Sequence, residues 1–453
     1  MRHRAYPTDE QIQQARRIGG CCRSVKNLAK EQRDLAHRLT GKSPGYTKQS
    51  DDLKELRDDR VLAPWLAEAP AQVLQQAIRD TDRAYVNFFA GRSRYPKWSN
   101  KSDGVSFRDP QGVEVRRISK RWGEVKIQGL GWVRIRMHRP LVGSRICSAT
   151  YVAEPDGKVF ISVLVERHKR EPTKALACAG SEAGVDRGVA VAVATWDGRE
   201  GELANRENWK PKERERLRRK ERQRERQKRA RISDNARLRA TGKETHQHKS
   251  KNQQKTELAI AAMHGRARHR RNDFVEQTSC DLAKNHRLVV FEDLHLAAMT
   301  RSAEGTVDRP GRNVRQKAGL DRAMLDKGLG ALKARTDDKV IRHGHGTLCV
   351  PAPGTSITCP VPECGHVDPA NRASRSVFVC VRCGHTAHAD INAAVEIRKR
   401  GMKLAYAGGT PVSARLGTNQ GPVSAGAEPG AVGAGRGRGN NQETGYITVR
   451  EVA

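Results

Sequence analysis

The sequence predicts an α/β protein of several domains with a small metal ribbon set into it. Three observations carry that prediction. Apolar residues recur at helical spacing from about Thr8 to Gly91, and the period then falls to two between Ser93 and Glu166. Two apolar strands further along carry carboxylates, Asp186 and Glu292. Four cysteines form two close pairs, Cys359/Cys364 and Cys380/Cys383, and an acid at a helix start, Asp390, follows them.

The first helices are marked by Ile12, Ile18, Val25 and Leu28, and again by Val73, Leu74, Ile78, Ala84, Tyr85 and Phe88. Pro7 and Thr8 supply a start signal, and Gly41 to Gly45 break the run. Arg16 and Arg17 lie on the outer face with other basic residues. The two-residue period that follows predicts a small antiparallel sheet or barrel, with a hairpin turn at Pro155-Asp156-Gly157. Lys126, Arg134, Arg136 and Arg139 alternate out of it as candidate nucleic-acid contacts.

Asp186 sits between Val185 and the later Val189, Val191 and Val193, as in a buried strand. A carboxylate there is costly unless it is paired, hydrogen-bonded or bound to a cation, and Arg187 is the nearest ion-pair partner. Gly184 and Gly188 clear space for a close approach. Between Lys210 and Arg231 stand thirteen Lys/Arg against four Asp/Glu, a solvated helix or one lying along phosphates. Arg218, Arg219 and Lys220 belong to this run. A second helix, Lys255 to Asn285, carries a stripe of Leu258, Ile260, Ala261, Phe274, Val275 and Leu282 beside Arg270 and Arg271.

Leu288 to Phe291 form a strand ending on Glu292 and Asp293, at the strand end where α/β folds gather their chemistry. GLDRAMLDKGLGALK reads as one short helix, and Val340, Ile341, Leu348, Cys349 and Val350 read as a strand. In ADINAAVEI, Ile391, Ala394, Val395 and Ile397 make a buried helix face below Asp390. The chain from about Gly408 is expected to be disordered, because it has too little apolar surface to bury.

Composition narrows the partners. Lys plus Arg outnumber Asp plus Glu by 85 to 51, a formal charge of +34, so a polyanion, first of all nucleic acid, is the expected partner. No apolar run is long enough to span a membrane, and the N-terminus lacks the apolar core of a secretory signal, which gives a cytoplasmic expectation. Six of the ten cysteines (Cys21, Cys22, Cys147, Cys178, Cys280 and Cys349) are scattered, so reduced thiols with one metal cluster fit better than a disulfide framework. The four clustered cysteines have zinc-ribbon spacing and predict a closed structural Zn²⁺ site. His366, His385 and His388 are then left around it rather than on the metal. The three acids are hard oxygen donors suited to Mg²⁺ or Mn²⁺, so with a nucleic-acid partner they suggest a metal-dependent nuclease.

In order, GVDRG, VVFEDLHLAAM, the four-cysteine ribbon and ADINAA resemble the split RuvC nuclease of the TnpB and type V CRISPR effector family. YPTDEQ, AYVNFFAG with YPKW, MHRPL, HGRARHRRNDF and VDRPGRNVRQKAGLDRAMLDKG extend the resemblance from about Met1 to Lys403. The resemblance makes Asp186, Glu292 and Asp390 the magnesium-binding catalytic triad, and Cys359, Cys364, Cys380 and Cys383 the zinc ligands. It implies an RNase H-like core in pieces, a helical recognition lobe and a wedge barrel that holds guide RNA. One RuvC site would then cut both strands of double-stranded target DNA beside a short flanking motif.

The implied domains are a first wedge strand at 1–8, a recognition lobe at 9–91 and a wedge barrel at 92–178. The RuvC domain follows at 179–354, the ribbon at 355–386, the third RuvC motif at 387–407 and the tail at 408–453. The sequence departs from the family in the four residues within CPVPEC, in HAD before the third acid and in Glu396. An RNA-guided repressor with an idle nuclease, and a transposase or recombinase, are the alternatives. A CRISPR-associated and a transposon-encoded protein fit equally well by length.

Overall fold

The computed structural model describes residues 1–406 except 60, 102–103, 139–144, 167–180, 247 and 307–308. Arg139, Cys178, the expected boundary at 178/179 and the tail beyond Gly408 lie outside the described residues. The chain divides into two compact units, the first built on Met1–Lys169 and the second on Arg170–Ala427.

In the first unit a strand, β1 (Arg2–Tyr6), leads into α1 (Asp9–Thr40). Thr8 and Gln11 cap this helix reciprocally, side chain to backbone, and Gly41 ends it with φ of 69°. The helices α2 (Tyr46–Asp58) and α3 (Ala71–Phe89) follow, so the glycine break falls where expected. Six more strands then form: β2 (Val105–Asp109), β3 (Glu114–Arg117), β4 (Trp122–Ile127), β5 (Gly131–Arg136), β6 (Arg145–Ala153) and β7 (Val159–Glu166). With β1 they make an antiparallel sheet of order β2-β6-β7-β1-β5-β4-β3, and its edge strands do not pair with each other among the described residues. The turn at Gly157 joins β6 to β7 as a hairpin.

Alternation sorts the side chains of that sheet. Ala5, Val125, Val133, Ile135, Tyr151, Ile161 and Val163 are buried against Ala15, Ile18 and Val25 of α1 and Val73, Leu74 and Ile78 of α3. The pairs Arg4–Arg136, Tyr6–Arg134 and Arg4–Phe160 therefore fall together on the opposite face.

The second unit is built on a five-stranded sheet of order β10-β9-β8-β11-β12. Its strands are β8 (Glu182–Asp186), β9 (Val193–Trp196), β10 (Gly201–Ala204), β11 (Leu288–Asp293) and β12 (Gly346–Pro351). Strands β8, β11 and β12 run parallel, and β9 pairs antiparallel with both β8 and β10. Two long helices, α4 (Pro211–Ala240) and α5 (Lys251–Asn285), stand between β10 and β11 in the chain. Then come α6 (Leu296–Met299), α7 (Val314–Lys327) and α8 (Leu329–Arg342). A small hairpin of β13 (Val377–Val379) and β14 (Thr386–His388) precedes α9 (Ala389–Tyr406). Val289 and Phe291 pack with residues of α5 and α8 such as Leu282 and Leu332, while Leu288 and Val290 pack with Ile397 and Ala405 of α9. The sheet is thus covered on both faces, as its apolar central strands require.

Four local expectations are corrected. Asp186 is the last residue of β8, and β9 starts only at Val193. Val340 and Ile341 belong to α8, because a helix with one buried face also places β-branched residues next to each other. The segment read as one short helix is two, divided at Gly328 with φ of 70°. Leu258 is exposed on α5, whose buried side runs instead through Thr256, Ile260, Met263 and Ala267.

Candidate active site and metal centre

The strand ends of the second unit open on a cavity of about 290 Å³ lined by Asp186, Glu292 and Asp390. Each acid is held by a different element. Asp186 and Glu292 sit at the carboxyl ends of the paired parallel strands β8 and β11, and Asp390 is the second residue of α9. The helix reaches this position because β8 has a glycine where α9 crosses it. A Cβ on Gly184 would lie 2.0 Å from the carbonyl oxygen of Ala394. Gly401 does the same on the helix side, where a Cβ would meet Val290 at 2.4 Å.

Asp186 itself makes no ion pair among the described residues, although Arg372 and Arg375 line the same cavity. Burial pushes the Asp186 carboxyl up to about 7, and the carboxylates of Glu292 and Asp390 add to the shift. Arg187 does not neutralise Asp186 by an ion pair. Its guanidinium donates to the backbone oxygens of Glu292 and of Leu329, at 2.5 and 3.3 Å, and stacks over Phe291. Arg187 thereby ties the residue after one acid to the main chain of another. Glu292 accepts a hydrogen bond from the Thr355 hydroxyl, and Asp390 accepts one from Arg372 at 3.3 Å. The Asp390 backbone N–H donates to Nδ1 of His388, which fixes that ring at the start of α9.

Three carboxylates facing one cavity, with the buried Asp186 raised in proton affinity, suit a hard divalent cation. The acids face one cavity at wider spacing than the thiols. Among the described residues, the group whose ligand atoms all fall within 4.8 Å of one another is Cys359, Cys364, Cys380 and Cys383. Sulfur–sulfur distances of 3.6 Å (Cys359–Cys383) and 3.7 Å (Cys364–Cys380) match the edge of a tetrahedron with metal–sulfur bonds of about 2.3 Å, which is roughly 3.8 Å. The thiols therefore fit a closed metal site, with no histidine in the cluster.

Thr355, Ser356, Arg372 and Arg375 also line the acid cavity, and sequence reasoning missed all four. They come from the ribbon segment. Asn371 explains how the ribbon aims Arg372: it is fully buried, donates to the carbonyls of Ile357 and His366, and accepts from the Val381 N–H. Both cysteine knuckles are thus fastened to the residue before Arg372. The only signal for Arg372 in the sequence was its place between the two cysteine pairs.

The basic candidates divide by location. Arg16 and Arg17 are exposed on α1, with Arg17 3.9 Å from Glu68. Arg134 and Arg136 are exposed on the outer sheet face and meet no carboxylate among the described residues. Arg134 stacks over Trp122, and Lys126 is paired with Glu114. Arg218, Arg219 and Lys220 lie on α4, which buries none of its side chains. Arg270 and Arg271 serve the fold instead. Arg270 grips Glu213 of α4 with two hydrogen bonds, and Arg271 lies 3.7 Å from Asp326 of α7. No helix among the described residues is long and apolar enough to cross a membrane.

Residues 330–397 match the family described as "Cas12f1-like, TNB domain", and residues 1–42 match one described as "Helix-turn-helix domain". In the structure that second stretch is a strand and one unbroken helix. The chain is 33% identical over 402 residues to a protein of Escherichia coli strain K12 named, provisionally, as the RNA-guided DNA endonuclease InsQ, covering 89% of this chain and 92% of that one. It is 27% identical over 413 residues, and 90% of each chain, to a protein of Streptomyces pristinaespiralis likewise provisionally named as an RNA-guided DNA endonuclease. A solved Cas12f1–guide RNA–target DNA complex aligns over 86% of this chain and 83% of its own, at 14% identity and a TM-score of 0.48.

Proposed function

The chain belongs to the TnpB and type V CRISPR effector family of RNA-guided DNA endonucleases, and from that premise we propose that it cuts double-stranded DNA chosen by pairing with a guide RNA. The observation that carries the reading is the meeting of Asp186, Glu292 and Asp390 from three distant parts of the sequence at one cavity. In this reading the three carboxylates would hold Mg²⁺ or Mn²⁺, and the four cysteines a structural Zn²⁺. Bound divalent metal supplies an activated water and stabilises the leaving 3′ oxygen of a phosphodiester.

The chain's own residues set the stage for that chemistry. Arg187 and Thr355 hold Glu292 from its backbone and side-chain ends. Arg372 and Arg375 give the cavity a cationic wall that would draw a phosphodiester towards the acids. Asp186, with its raised proton affinity, needs counter-charge to stay ionised at neutral pH. Base pairing would select the sequence, and the basic surfaces would hold backbone phosphates.

The test is a supercoiled target plasmid incubated with the protein, its copurified RNA and Mg²⁺. Linear product is expected, together with its loss in Asp186→Ala under conditions where the ribonucleoprotein still binds the target. Uncut plasmid with the unaltered protein would favour a repressor, and a joined donor–target product would favour strand transfer. Cleavage that survives Asp186→Ala would remove the assignment of the site.

A further inference from the structure

The stretch from Tyr85 to Lys101, YVNFFAGRSRYPKWSNK, has no part in the acid cavity, the ribbon or the outer sheet face. It holds five aromatic residues and four Lys/Arg with no Asp or Glu, in a chain that is only 4% aromatic. Aromatic side chains normally end in the core, but here three do not. Phe89 is 77% exposed, Trp98 47% and Tyr95 46%.

The exposed rings are fixed rather than loose. Tyr95 packs edge-on against Phe88 at 5.1 Å and Tyr85 at 5.7 Å between centroids, and Phe88 contacts Phe89 at 5.3 Å. Beneath them Lys30, 5% exposed, puts its ammonium 4.6 Å from the centre of Tyr95 and 4.7 Å from that of Trp98. Asp34 holds the same ammonium at 2.5 Å and accepts from the hydroxyls of both Tyr85 and Tyr95. Asn27 clamps the segment after Trp98, donating to Ser99 O at 3.1 Å and accepting from Ser99 N at 2.8 Å. Around these rings Arg94, Lys97 and Lys101 are exposed and have no carboxylate partner among the described residues.

Pre-positioned aromatic faces surrounded by unneutralised cations have the chemistry of a stacking platform. Bases supply the π-faces and the connecting phosphates supply the charge. A protein partner would want apolar contact without the cations. Base-paired DNA or RNA keeps its faces inside the stack. Under the RNA-guided reading, on which this inference rests, the partner that carries unpaired bases before any target is opened is the RNA. We propose that Phe89, Tyr95 and Trp98 form a platform that stacks unpaired bases of the RNA, with Arg94 and Lys97 on the adjoining phosphates.

Fluorescence anisotropy on the full-length protein tests this with three labelled probes: a short single-stranded oligouridylate, an RNA hairpin without a tail, and single-stranded oligothymidylate. Phe89→Ala and Trp98→Ala should each weaken oligouridylate binding about tenfold, the size expected for one lost base–aromatic contact. Hairpin affinity should be unchanged, and Trp98→Phe, which keeps an aromatic face, should recover most of the loss. Melting curves of both alanine variants that match the unaltered protein would exclude misfolding. Because Phe89 is the most exposed ring, its variant decides if Trp98→Ala is unstable. Equal losses on hairpin and single strand, unchanged oligouridylate binding, or a loss confined to oligothymidylate would each overturn the proposal. A platform effect on oligouridylate in a protein that leaves its target plasmid uncut would sustain the platform and sink the nuclease reading instead.

Discussion

The guanidinium of Arg372, from the segment between the two cysteine pairs, lies 3.3 Å from Oδ1 of Asp390 at the start of α9. Thr355, at the other end of the ribbon segment, binds Glu292. Two of the three acids in the cavity are therefore held by the ribbon, which makes the thiol cluster a support for the acid site and not a separate module.

That coupling predicts two separable losses. Cys383→Ser should lower the bound zinc, measured by elemental analysis of the purified protein, and abolish plasmid cleavage, because apparent binding on the order of 10–16 kcal/mol is what folds a ribbon of this kind. Arg372→Ala leaves all four thiols in place. It should keep its zinc and still lose about tenfold or more in cleavage rate.

Gly184→Ala should fail in a different way. Its Cβ would meet backbone atoms of α9 at 2.0 and 2.6 Å, which cannot yield as the end of a flexible side chain can. Overpacking of this kind costs about 1–3 kcal/mol or more and would push Asp390 away from Asp186. A lower melting temperature together with lost cleavage is expected. An unchanged melting temperature would show that α9 does not cross β8 so closely.

The hairpin of α4 and α5 should loosen in acid. Hydrogen bonds from Arg270 hold the Glu213 carboxyl down at about 2, against an ordinary value of 4.5. The folded state therefore binds this proton less readily than the unfolded chain. Its contribution to stability is complete above about pH 4.5 and disappears as the pH falls through about 2. Hydrogen-exchange protection at the start of α4, taken relative to the intrinsic rate at each pH, should fall over that interval in the unaltered protein. Glu213→Gln should exchange rapidly throughout, with no such dependence.

Charge removal on the outer sheet face tests its contact with phosphate. If Arg134 and Arg136 each neutralise one phosphate, Arg134→Ala and Arg136→Ala should each flatten the log–log salt dependence of nucleic-acid binding by up to about 0.9. Arg270→Ala should weaken the α4–α5 hairpin without that change in slope, because Arg270 is already committed to Glu213.

Local chemistry made much of this protein legible. The capped start of α1, the hairpin at Gly157, the strand running up to Glu292 and the helix after Asp390 each depend on neighbours a few residues apart. The cysteine pairs were legible for the same reason. Helix and strand could not be told apart at Val340 and Ile341, where a short apolar pair fits both periods, and Leu258 was assigned to the wrong side of a long helix.

By itself, then, the sequence marked out the candidates for chemistry: three acids in apolar settings, four thiols at metal spacing and a large excess of cations. Tertiary structure alone decided what each of them meets. It turned Arg187 from a partner of Asp186 into a brace for Glu292, assigned Arg270 to the fold, and brought Arg372 to Asp390 from across the ribbon. The physical reason is range. Propensity, capping and ligand spacing act along a few residues of chain, whereas a guanidinium goes where packing leaves an unmatched carboxylate or carbonyl within reach. Only the folded sheet, with α9 pressed onto Gly184, decides where that is.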